Sequence, residues 1–276
     1  KRADPSLRIV VLEARFAGFG ASGRNGGWLS GLVPGDRDRM ARQYSRDGVV
    51  SWQRALNDAV DEVIEVTDRE GIDAGIVKGG TLEVARNAAQ ATRLAAALDA
   101  ERRWQIDGLE SLTKDEATQR IQIDGVVAAY HNPHCARIQP AQLARGLADT
   151  VERLGVSIYE RSPVTDIASG RATTPWGTVT APVVLRATEG FTAALPGLER
   201  RWLPMNSSMI ATDPIPEHVW ATIGWRGRET LGDTAHGFFY AQRTVDDRIA
   251  IGGRSVPYRF GSRTDKDGRV PERTIR

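Results

Sequence analysis

Glu13-Ala14-Arg15-Phe16-Ala17-Gly18-Phe19-Gly20-Ala21-Ser22-Gly23-Arg24-Asn25-Gly26-Gly27 is the stretch on which the fold turns. It follows Leu7-Arg8-Ile9-Val10-Val11-Leu12, which has the composition of a strand buried in a sheet. Gly18 to Gly23 matches G-x-G-x-x-G, but the match is formal. The dinucleotide fingerprint puts its first glycine at the end of the first strand and an acid roughly 20 residues later, at the end of the second. Here the acid, Glu13, precedes the glycines, residues including Phe16 intervene, and no strand follows at the required distance. Glu13 at a strand end is suited to accept from two vicinal ribose hydroxyls, although taken alone it reads more simply as a surface acid.

The residues after it carry more chemistry. In Gly20-Ala21-Ser22-Gly23-Arg24-Asn25-Gly26-Gly27-Trp28, small residues let backbone amides approach a ligand, and Ser22 and Arg24 can address a pyrophosphate. A flexible Gly/Ser loop is the bland alternative.

Outward from this segment, apolar residues between Arg39 and Arg69 recur every three or four positions, which predicts one or two amphipathic helices stopped by Gly71. Thr81 to Ala85 alternates as a strand. Asn87 caps an alanine-rich helix, and Thr113-Lys114-Asp115-Glu116 is a capping box. Val126 to Tyr130 is a further strand. Pro140 opens a helix with Leu143, Leu147, Val151 and Leu154 on one face and Gly155 beyond its end. Strands follow at Val156 to Tyr159 and Val164 to Ile167, then a hairpin at Trp176-Gly177 and an apolar run Val183-Val184-Leu185. A helix followed directly by apolar strands suggests a covered parallel sheet. Beyond Pro196 the β-like runs Ser208 to Thr212, Gly237 to Ala241 and Arg248 to Ile251 suggest an antiparallel sheet.

A strand ending in Glu and followed within a few residues by Gly-Ala-Ser-Gly-Arg-Asn-Gly-Gly resembles the D-amino-acid oxidase and glycine oxidase family of flavoproteins, especially its gamma-glutamylputrescine oxidoreductase-like branch. Later segments agree in order and spacing. Ile138-Gln139-Pro140-Ala141-Gln142-Leu143 looks like the helix re-entering the FAD domain, Ser162 to Ile167 like a strand whose Val164 backbone meets the adenine, and Arg186-Ala187-Thr188-Glu189-Gly190 like a ligand-binding turn.

The resemblance implies an α/β fold: a Rossmann-like, FAD-binding parallel sheet, incomplete here, with an antiparallel α+β substrate domain. Residues 1–70 and 137–195 would form the FAD-binding domain, and 71–136 and 196–276 the substrate domain. The family's first strand with its G-x-G-x-x-G is expected before Lys1, and its last FAD-contacting elements after Arg276, so the chain reads as a fragment truncated at both ends. FAD would be held by Glu13, Ala21, Ser22, Arg24, Val164, Thr188 and Gly190, with Asn25, Gly26 and Gly27 nearer the flavin ring. Tyr240 and Arg254 would face the substrate, although ordinary strand positions are an equal reading. The implied reaction is oxidation of an amine or amino acid by hydride transfer to FAD, giving an imine that hydrolyses, with reoxidation by oxygen or another acceptor. A nicotinamide-dependent dehydrogenase and a non-catalytic nucleotide-binding fragment are the alternatives.

Composition narrows the remaining classes. The 276 residues are 41% hydrophobic and 26% charged with a net charge of +2, and the arginines are interleaved with acids, so no unopposed basic stripe for nucleic acid exists. No apolar stretch approaches membrane-spanning length. The single cysteine, Cys135, excludes an internal disulfide framework and fits a cytoplasmic protein. His131-Asn132-Pro133-His134-Cys135 lacks a second ligand pair at zinc spacing and reads as a turn, so no metal is expected.

Overall fold

A computed structural model describes residues 1–253; Arg254, expected to face a substrate, lies outside the described residues. Residues 1–70 carry β1 (Val10–Leu12), β2 (Trp28–Ser30), α1 (Arg37–Tyr44) and α2 (Arg46–Glu70). Residues 71–153 add β3 (Thr81–Ala85), α3 (Ala88–Arg103), β4 (Glu110–Thr113), α4 (Lys114–Arg120), β5 (Ala128–Asn132), β6 (Cys135–Arg137) and α5 (Pro140–Arg153). Then come β7 (Ser157–Tyr159), β8 (Asp166–Ala168), β9 (Arg171–Thr174), β10 (Gly177–Thr180), β11 (Ser208–Ala211), α6 (Glu217–Ile223), β12 (Thr230–Asp233), β13 (Phe239–Arg243) and β14 (Ile249–Gly253).

Helix ends follow local chemistry. Asp36 caps α1 through the Arg39 amide at 3.0 Å, Asn87 caps α3 through the Gln90 amide at 2.9 Å, and Thr113 and Glu116 complete the reciprocal capping box of α4. Gly71 ends α2 in the left-handed region at φ 67°, where a side chain would be strained.

The chain divides into two compact units. The first comprises, among the described residues, 1–24 and 144–208, and the second 25–143 and 209–253. The divisions therefore fall at 24/25, 143/144 and 208/209, whereas the sequence suggested 70/71, 136/137 and 195/196. The long helix α2 lies in the second unit because it packs against β2 and β6, themselves an antiparallel pair.

In the first unit β1 and β7 pair in parallel, and β8, β9 and β10 form an antiparallel sheet with the expected hairpin at Trp176-Gly177. Two expectations fail here. The run Leu7–Leu12 forms a strand only at Val10–Leu12 and is not buried, Val10 being 44% exposed, because its one strand partner among the described residues is β7. Val183-Val184-Leu185 forms no strand at all: its backbone finds no ladder partner among the described residues, and Leu185 is 87% exposed.

The second unit is built on a seven-stranded sheet in the order β11-β14-β13-β12-β3-β5-β4. It is mixed rather than antiparallel, because β12 lies parallel to β3. Alternation along the strands sends Leu82, Val84, Leu112, Ala129, Leu231 and Ala241 to one face. There they pack with Ala117 of α4 and with Trp220 and Trp225, whose rings meet edge to face at 6.3 Å between centroids. Burying each large side chain contributes about 1.5–3 kcal/mol. A smaller cluster joins Val49 and Val50 of α2 to Trp104, beside a buried Arg37–Glu101 ion pair of 3.0 Å.

Candidate functional site

In the first unit, the Glu13 amide donates to the Tyr159 carbonyl at 3.0 Å, which fixes Glu13 at the carboxyl end of β1 beside β7. One oxygen of its carboxylate accepts the Arg15 amide at 2.8 Å, leaving the other available to a ligand among the described residues. Next comes a short 3-10 turn, Ala21–Gly23, with Ala21 and Ser22 exposed. Gly23 is buried in it: a Cβ there would stand 2.8 Å from the Gly18 carbonyl carbon, so the turn closes only around glycine. The Arg24 guanidinium hydrogen-bonds the Phe19 carbonyl and stacks over the Phe19 ring at 4.1 Å from its centroid.

The same unit places Thr188 at the head of a second 3-10 turn, Glu189–Ala194, its hydroxyl 2.7 Å from that of Thr192. A Cβ on Gly20 would touch the Phe191 ring at 3.2 Å, so the first turn and the Thr188–Gly190 turn are neighbours. Val164 sits in the extended segment before β8, two residues after Ser162, whose amide donates to the Glu13 carbonyl at 2.8 Å. Glu13, Ala21, Ser22, Arg24, Val164, Thr188 and Gly190 thus belong to one unit.

The second unit holds Asn25, Gly26, Gly27 and Tyr240. Asn25 Oδ1 accepts the Gly27 amide at 2.8 Å, and the Gly27 carbonyl accepts the Ile138 amide at 2.8 Å. The Gly26 Cα lies against Tyr240, whose ring carbons would stand 2.9 and 3.0 Å from a Cβ there. Gln242, almost wholly buried, reaches up from β13 and donates to the Gly26 carbonyl at 2.7 Å. Tyr240 also meets Trp28 edge to face, 6.2 Å between centroids. The sequence reading missed Gln242. Its signal was a polar residue two positions after Tyr240, hence on the same strand face.

Glu83 was also missed, since a lone acid in an alternating strand reads as solvent-facing. Its environment is strongly perturbed. Burial, and then the Asp233 carboxylate, push the Glu83 carboxyl up to about 7. The Tyr130 hydroxyl, next to it in register, is held well above its ordinary range by burial and then by Glu83 and Glu101.

The histidine cluster serves backbone geometry. His131 Nε2 lies 2.8 Å from the Gly79 carbonyl, His134 Nε2 lies 2.9 Å from Asp107, and Cys135 is buried with its thiol pushed up by burial. Among the described residues no three His, Cys, Asp or Glu side chains are grouped to hold a metal.

A strand-end acid, a glycine-closed turn beside it and a second turn at Thr188 come together in one unit of an α/β protein. Comparison with known proteins gives the particular family. The model of the DAO family, FAD dependent oxidoreductase, matches residues 2–276, and the chain belongs to that family. It is 29% identical over 273 residues to gamma-glutamylputrescine oxidoreductase of Escherichia coli K12, covering 96% of this chain and 62% of that protein. It is 25% identical over 274 residues to glycine oxidase of Geobacillus kaustophilus, covering 95% of this chain and 67% of that one. The crystal structure of glycine oxidase from Geobacillus kaustophilus superposes with a TM-score of 0.66 at 23% identity, over 91% of this chain and 65% of that chain. That of glycine oxidase from Bacillus cereus gives 0.69 at 18% identity, over 90% and 65%. The chain therefore spans about three fifths of the E. coli relative's length.

Proposed function

We propose that the chain forms the main part of an FAD-dependent enzyme that oxidises a small amine or amino acid. The observation that carries this reading is the Glu13–Gly27 segment, where an acid at a strand end precedes a turn that closes only around Gly23. The donor set fits the cofactor. In the first unit, the Glu13 carboxylate accepts from ribose hydroxyls, while Ala21, Ser22 and the Arg24 cation address the diphosphate. For the adenine end we assign the Val164 backbone, and for the second turn Thr188 and Gly190. In the second unit, Asn25, Gly26 and Gly27 keep bulk away from the ring, since Tyr240 and Gln242 already occupy the space a side chain would need there.

Bound FAD supplies the two-electron acceptor for oxidation of the carbon bearing the amine. The chain's own part is to hold a neutral amine in place and exclude water, with Tyr240 and Arg254 facing it. The Tyr240 ring, wedged between Gly26 and Trp28, is rigid enough to act as one wall. No strong side-chain base is required, and Asp246 and Asp247, adjacent acids each lowered by hydrogen bonds, are committed to Thr244, Arg248, Arg243 and Arg228. Among the described residues no helix is long and apolar enough to cross a membrane, and a cytoplasmic location is part of the same proposal.

The test is to purify the full-length parent, record its visible spectrum before and after adding FAD, and assay an amine and amino-acid panel for peroxide and for reduction of an artificial acceptor. Flavin bands and turnover of at least one amine are expected. A protein with no flavin bands even after FAD addition overturns the reading.

A further inference from the structure

The proposed amine oxidation leaves the substrate's identity open, and the inference here rests on that reading. Six register partners form a single row across the seven-stranded sheet: Ser111, Tyr130, Glu83, Gly232, Tyr240 and Gly252. Partners in register project from the same face, so these residues share one surface. The two glycines shape it. A Cβ on Gly232 would stand 2.7 Å from a Glu83 carboxylate oxygen, and one on Gly252 would stand 2.5 Å from the Tyr240 hydroxyl. Each side chain therefore lies over its neighbouring glycine: the Glu83 carboxylate in the trough above Gly232, and the Tyr240 ring above Gly252, on the side away from Glu83.

That carboxylate has no hydrogen-bond or ion-pair partner among the described residues, and the charge acting on it is another acid, Asp233. Desolvating an acid without a partner is costly, and a cation placed against it removes the cost. At its other end the row reaches Tyr240, the ring pressed against Gly26, in the segment assigned above to the flavin ring. Glu83 and Tyr240 stand two strands apart, roughly 10 Å at the backbone.

We propose that Glu83 anchors a second positive charge on the substrate, so that the enzyme prefers an amine carrying another cationic group several bonds from the carbon oxidised. Glu83 is then the residue that separates diamines from simple monoamines. Gly232 leaves the room that this carboxylate occupies.

The experiment uses the full-length FAD-loaded enzyme and its Glu83→Gln and Glu83→Asp variants, with 1,4-diaminobutane and butylamine as paired substrates. The expected result is that Glu83→Gln raises KM for the diamine tenfold or more with kcat within about twofold, leaves butylamine within about twofold, and that Glu83→Asp restores part of the diamine preference. Equal losses on both amines, or no change on either, overturn the proposal. If the parent binds FAD and oxidises neither of these two amines, amine oxidation itself is judged by the panel above and Glu83 by binding alone. Thermal shift titrations must then show the diamine binding at least tenfold tighter than butylamine to the parent and not to Glu83→Gln, and failure to do so rejects the anchor.

Discussion

The two units treat their apolar residues in opposite ways. The second buries a continuous core against one face of its large sheet, with Leu82, Val84, Trp220 and Trp225 almost completely covered. The first, among the described residues, fully buries just three apolar residues, Ala148, Val156 and Ala172, while Val10, Val11, Val183, Leu185, Trp202 and Leu203 are exposed. The large apolar cluster, and the stability its burial contributes, thus lie in the second unit.

The contrast breaks most sharply at the level of single side chains. Leu82→Ala, in the fully enclosed strand β3, is expected to cost about 3–5 kcal/mol in chemical denaturation, since transfer and cavity terms add. Leu185→Ser, on the exposed run, is expected within about 0.5 kcal/mol of the parent. Similar costs at both positions would erase the distinction.

Within the second unit, Glu83 is a desolvated acid on the sheet face opposite the core, and its pH dependence sharpens the account. Because folding raises its carboxyl to about 7, its favourable contribution is complete below the ordinary carboxylate range and is lost as pH rises through about 7. Glu83→Gln should accordingly stabilise the protein at pH 8 by about 1–3 kcal/mol and have a smaller effect at pH 5, as followed by thermal unfolding.

In the first unit, Arg24→Ala is expected to weaken FAD binding about tenfold, or 1.4 kcal/mol, measured by flavin fluorescence titration. Unchanged affinity would remove Arg24 from the diphosphate site and leave it as the partner of Phe19. A smaller loss is expected at the cap of α3, where Asn87→Ala loses the bond to the Gln90 amide and about 1 kcal/mol of stability, seen as a lower Tm without change in FAD affinity.

How legible each unit was in the sequence follows from the same contrast. Caps and stops are local, so Asn87, the Thr113–Glu116 box, Pro140 and Gly71 announced their helices correctly. The alternation of Thr81 to Ala85 likewise gave β3. An apolar run, however, records only that a segment tolerates burial. Val183 to Leu185 and Leu7 to Leu12 were read as covered strands, but strand pairing and cover come from elsewhere in the chain, and no local signal reports them.

The parallel β3–β12 pair was hidden for a related reason, as its two strands lie about 150 residues apart. At the site, the order of Glu13 and the glycines was readable because it is linear. The trough around Glu83 was not, because it exists only as a row of register partners from different strands.

The central claim is that the Glu13–Gly27 segment holds the flavin through a turn that closes around glycine. The most direct measurement is an FAD titration of the full-length protein beside its Gly23→Val variant, with the unfolding of the second unit followed in the same samples. The account predicts that Gly23→Val loses FAD binding by at least a hundredfold while the second unit's unfolding transition is unchanged. A Gly23→Val protein that retains FAD as tightly as the parent would contradict it.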